Sequence, residues 1–130
     1  MTSPHIAFNQ TMTSLTQQPG SPFEVQAAEI NGVTYKHFAN APTTLHDLVA
    51  PARDCGAQEF IAYLDESWSF DDFFERADQL AYQLTNQLQI SKGQHVAIAM
   101  RNYPEWLVAF TAIARIGAVV VPLNSWGNTE

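Results

Sequence analysis

The residues best equipped for chemistry in this chain are six acids gathered between Asp65 and Asp78: Asp65, Glu66, Asp71, Asp72, Glu75 and Asp78. Carboxylates at this density can hold a divalent cation or act as a general acid and base pair. Their spacing argues for something simpler. Asp71, Asp72, Glu75 and Asp78 fall at helical intervals, which makes them a solvated helix face with an acid-rich first turn. His5, His37, His46 and His95 are scattered, with no pair at the i, i+4 or short-loop spacings of metal sites. His95, at a strand entrance, reads as a satisfied edge or core residue. Cys55 sits beside Arg53 and Asp54, and nothing around it marks a thiol of lowered pKa. Neither GxGxxG nor GxxxxGK[ST] occurs, and the chain has six glycines, so a phosphate-cradling loop is absent. Trp68, Trp106 and Trp126 are packing aromatics by default; Trp126, in the last polar loop, is the best placed of the three to face a ligand. By motif alone, no catalytic, cofactor-binding or metal-binding residue can be assigned.

Composition narrows the class. With 130 residues, 46% of them hydrophobic, the chain is long enough to bury a moderate core. A formal charge of −7 disfavours nucleic acid, because nothing here would neutralise a phosphate backbone. A lone cysteine excludes an internal disulfide and fits a reducing compartment. No apolar run reaches the ~18 residues of a membrane span, and the first twenty residues lack the basic and apolar regions of a secretory signal. A cytoplasmic location is the expectation, with peripheral membrane association left open. The sequon Asn9-Gln10-Thr11 reads as chance in that setting.

Elements must position whatever these residues do. Residues 1–21, rich in Ser, Thr and Gln without periodicity, read as a disordered tail. Phe23–Ile30 and Val33–Phe38 flank Asn31-Gly32, the signature of a type I′ hairpin. Thr44 caps a short helix over Leu45, Leu48 and Val49 that Pro51 kinks or ends. Glu59–Leu64 and Trp68–Phe70 form a second hairpin about a turn at Asp65-Glu66. Ser69 and Asp72 make a capping box for a helix whose apolar stripe is Phe73, Ala77, Leu80, Ala81, Leu84 and Leu88.

The last third organises the rest. His95–Met100 is a nearly continuous apolar run, the pattern of a strand covered on both faces. Asn102 is placed to cap the following helix, with Pro104 in its first turn and Glu105 at the capping-box position. Trp106, Leu107, Phe110, Ile113 and Ala114 recur at helical spacing, Gly117 ends the helix, and Ala118–Val121 is a strand stopped by Pro122. Two apolar strands joined by a helix make a parallel βαβ unit. The fold class is therefore α/β, with β-hairpins leading into a βαβ unit of a larger doubly wound sheet.

Three linked segments carry a resemblance. Trp68-Ser69-Phe70-Asp71-Asp72-Phe73 resembles the L-[TS]-Y-x-E-L segment near the start of AMP-forming adenylating enzymes, the superfamily of acyl-CoA synthetases, luciferases and peptide-synthetase adenylation domains. Lys92-Gly93-Gln94-His95-Val96-Ala97-Ile98 is similar to their K-G-D-x-V-A-I strand. Asn102-Tyr103-Pro104-Glu105-Trp106, then Ala112, Ile116-Gly117-Ala118 and Val121-Pro122-Leu123-Asn124, is similar to the N-x-x-E-W stretch and the G-A and P-L-N positions after it. The likeness runs from about Phe38 to Trp126, and Asn40-Ala41-Pro42 with Leu45 suits the acyl-CoA synthetase branch. Gln94 departs from the usual Asp, and Asp72-Phe73 from Glu-Leu.

The resemblance implies an ATP-dependent ligase in which a carboxylic acid, often a fatty acid, becomes an acyl-adenylate with loss of pyrophosphate and is then captured by coenzyme A. It implies ATP, Mg²⁺ and coenzyme A for the intact enzyme and none bound by this piece, because the family's phosphate loop, Mg²⁺ acid, ribose-binding Asp and mobile lysine all lie downstream. Residues 22–130 are then the N-terminal portion of a truncated adenylate-forming domain, inactive alone. Such a cut leaves an apolar strand edge open, through which the piece is expected to aggregate or form a homodimer. Two alternatives stand beside this reading: an adenylation domain that loads a carrier protein, and a self-contained, non-enzymatic α/β binding or scaffold module.

Overall fold

The computed structural model describes residues 4–124. The chain divides into two compact units, residues 1–43 and 44–130.

The first unit opens with helix α1, Pro4–Gln17. This replaces the disordered tail predicted over 1–21. Hydroxyls that are poor helix formers turn back on their own backbone here: Thr11 Oγ1 donates to the Ala7 carbonyl at 3.0 Å and Thr16 Oγ1 to that of Met12 at 2.9 Å. Strands β1, Val25–Ile30, and β2, Val33–Phe38, follow as an antiparallel pair in the register Val25↔Phe38 to Ile30↔Val33. Asn31 and Gly32 take φ of 53° and 77°, the two positive angles that a type I′ turn demands.

In the second unit Thr44 caps α2, Leu45–Val49, accepting the Asp47 N–H at 3.1 Å. Pro51 then tightens the chain into a 3₁₀ turn over Ala50–Cys55. Strands β3, Glu59–Tyr63, and β4, Glu66–Ser69, pair antiparallel with a bulge between Glu59 and Ile61. The turn lies one residue earlier than predicted. Tyr63 pairs with Glu66, leaving Leu64 and Asp65 as the two turn residues, with Leu64 at φ 53°.

Helix α3, Phe70–Asn86, carries the predicted capping box: Asp72 N donates to Ser69 Oγ at 3.1 Å, and Ser69 N donates to Asp72 Oδ2 at 2.9 Å. Its buried face is Phe73, Phe74, Ala77, Ala81 and Leu84. Leu88 lies beyond the helix end and is exposed. The face predicted to be wholly solvated is broken at Asp78, which two arginines engage.

The βαβ unit is β5, His95–Ile98, then α4, Pro104–Arg115, then β6, Val119–Pro122, with β5 and β6 parallel in the register His95↔Val119 to Ile98↔Pro122. The first strand is shorter than predicted and is covered on one face: His95 and Ala97 are exposed, Val96 is half-buried and Ile98 is buried. The helix cap also differs. Proline forces the residue before it into an extended conformation, so Tyr103, at φ −92° and ψ 159°, is the N-cap, with no side-chain bond, and Asn102 stands outside the helix.

Two packed clusters make the core. Ala81, Leu84, Ile98, Ala109, Ala112 and Ile113 join α3, α4 and β5, while Trp68, Phe73, Phe74, Ala77 and Val108 join β4, α3 and α4. Ala77 and Ala112 have no exposed surface at all, so small side chains at the contact of α3 and α4 let the two helices approach closely. The buried face of α4 is accordingly Val108, Ala109, Ala112 and Ile113, and Leu107, predicted on the stripe, is exposed.

Candidate functional site

Where β5 ends, the chain passes through Asn102 and Tyr103 into α4, and β3 lies alongside. Ile61 and Tyr63 from β3, with Tyr103, Pro104, Trp106 and Leu107 from the head of α4, line an open groove of about 400 Å³. Pro104 is buried and roots the helix start, whereas Tyr103 and Leu107 remain exposed. The rings of Tyr63 and Tyr103 meet edge to face, centroids 6.1 Å apart and planes at 85°, an attractive arrangement that holds the two walls in register. Trp106 stacks on Phe110 at 5.4 Å, which supports it from behind. Asn102 contributes an amide, and no charged side chain lines the groove among the described residues. Such a lining, free of charge among the described residues, suits an uncharged group.

The acids singled out in the sequence do other work. Asp72 is committed to the Ser69 cap. The Ser69 hydroxyl and N–H, together with the charge of Arg76, hold its carboxyl below the ordinary carboxylate value. Glu66 accepts the Trp68 indole N–H at 3.1 Å, and Arg76 covers the Trp68 ring at 4.2 Å. Asp78 binds Arg53 and Arg115. Asp65, Glu66 and Asp72 share a polar hollow with Arg76 and Glu105, yet among the described residues no three His, Cys, Asp or Glu side chains gather as metal ligands. A Mg²⁺–triphosphate group thus meets no ready-made cluster of ligands among the described residues.

His5 bonds locally to Asn9 and His37 to the Phe38 carbonyl, and His95 is exposed at the start of β5. Cys55 is a free, half-buried thiol at the end of the 3₁₀ turn. Of the tryptophans, Trp68 is buried in the core and Trp106 lines the groove; Trp126 lies outside the described residues. Sequence reasoning missed the groove itself. The available signal was positional: Asn102-Tyr103-Pro104 spans the carboxyl end of a parallel strand and the start of its helix, where open α/β sheets bind ligands.

The profile of the family described as AMP-binding enzyme matches residues 48–127, more than half of the chain. The chain belongs to the AMP-binding enzyme family. Long-chain fatty acid transport protein 6 of Mus musculus is 29% identical over 91 residues, 70% of this chain and 15% of that protein. The N-terminal subdomain of Klebsiella oxytoca NpsA is similar at TM-score 0.61 and 26% identity, covering 65% of this chain and 22% of the other. O-succinylbenzoate coenzyme A synthetase from Bacillus subtilis, solved with ATP and magnesium ion, is similar at TM-score 0.58 and 27% identity, over 63% of this chain and 22% of that one. The chain thus spans about 15% of the length of the transport protein it matches. No helix among the described residues is long and apolar enough to cross a membrane.

Proposed function

We propose that residues 22–130 form the opening portion of an ATP-dependent, AMP-forming acid–thiol ligase that acts on a fatty acid. In that reaction the carboxylate oxygen attacks the α-phosphorus of ATP and pyrophosphate leaves. The thiol sulfur of coenzyme A then attacks the acyl carbonyl and AMP leaves. The observation that carries the reading is the family match over 48–127, which takes in the capped helix α3 and the whole βαβ unit. The kinship with a long-chain fatty acid transport protein supports the choice of acid, and that with a coenzyme A synthetase supports the acceptor.

In this reading the chain supplies architecture. The reacting groups are then supplied by other parts of the ligase, and the isolated chain is expected to be inactive. Among the described residues β5 and β6 pair only with each other, and in this reading two isolated copies associate through such an open edge. The acidic balance and single cysteine suit a cytoplasmic enzyme.

The test is product analysis. The whole product of the reading frame that contains this chain, supplied with ATP, Mg²⁺, coenzyme A and a long-chain acid, should yield the acyl-CoA and AMP by mass spectrometry. Acyl-adenylate that accumulates and is never captured by coenzyme A would redirect the reading to a carrier-protein acceptor.

A further inference from the structure

We draw no further inference here: the strongest candidate, the apolar stripe of Phe8, Met12 and Leu15 along helix α1, is open to solvent, and nothing in the structure shows what covers it.

Discussion

Arg53 grips Asp78 with both terminal nitrogens, Nη2 to Oδ1 at 2.6 Å and Nη1 to Oδ2 at 3.2 Å. Arg115 of α4 engages the same Oδ1, and the Arg53 guanidinium lies 4.3 Å from the centre of the Phe74 ring. One carboxylate on α3 therefore ties the 3₁₀ turn and α4 together. Arg53 and Asp78 side chains are each 36% exposed, so solvent screens the network. Replacing Asp78 by Ala should cost about 1 kcal/mol, more than a single exposed pair. The difference from the parent in urea unfolding should shrink in 1 M salt, where charges are screened within about 3 Å. A salt-independent difference would mean that the contact acts through packing.

Ser69 starts α3 by accepting the Asp72 N–H. Ser69→Ala leaves that donor without its partner and should lower stability by about 1 kcal/mol in denaturant titration.

Asp72 supplies a pH signature. Its pKa in the folded chain is lowered from 3.8 by the Ser69 hydroxyl and N–H and by Arg76. A depressed carboxylate contributes stability that is fully present above its unfolded value and lost as pH falls through the folded one. The melting temperature should therefore drop below about pH 4, and Asp72→Asn should make that drop shallower. Identical acid limbs for parent and variant would remove Asp72 from the account.

Gly117 closes α4 at φ 72°, and a Cβ there would stand 3.0 Å from Lys92 Cγ. Both the backbone angle and the neighbour oppose a side chain. Gly117→Ala should cost about 1–2 kcal/mol, read by thermal melting.

Ala112 has no exposed surface in the core shared by α3, α4 and β5. Ala112→Leu should overpack that core and destabilise by about 1–3 kcal/mol. A neutral result would show that the helices separate easily.

Local chemistry was the legible part. Asn31-Gly32 announced its hairpin, Ser69-Asp72 its capping box, and Gly117 the end of α4, because each depends on a few neighbouring residues. What depends on tertiary packing was harder to read. Leu107 and Val108 are equally apolar, and only the approach of α3 decides that Val108 is buried. Asn102 has the right chemistry for a cap, but Pro104 passes that position to Tyr103. The groove needed β3 and α4 side by side, which no spacing within either segment reveals. Helix α1 was read as disorder because its Thr, Ser and Gln residues offer no buried face.

The most direct test of the central claim is pyrophosphate exchange into ATP, measured in parallel on this 130-residue chain and on the whole product of its reading frame, each with a long-chain acid and Mg²⁺. The account predicts acid-dependent exchange by the whole protein and none by the chain alone. Exchange by the isolated chain would contradict the placement of the reacting groups beyond it, and silence from the whole protein across acids would contradict the ligase assignment.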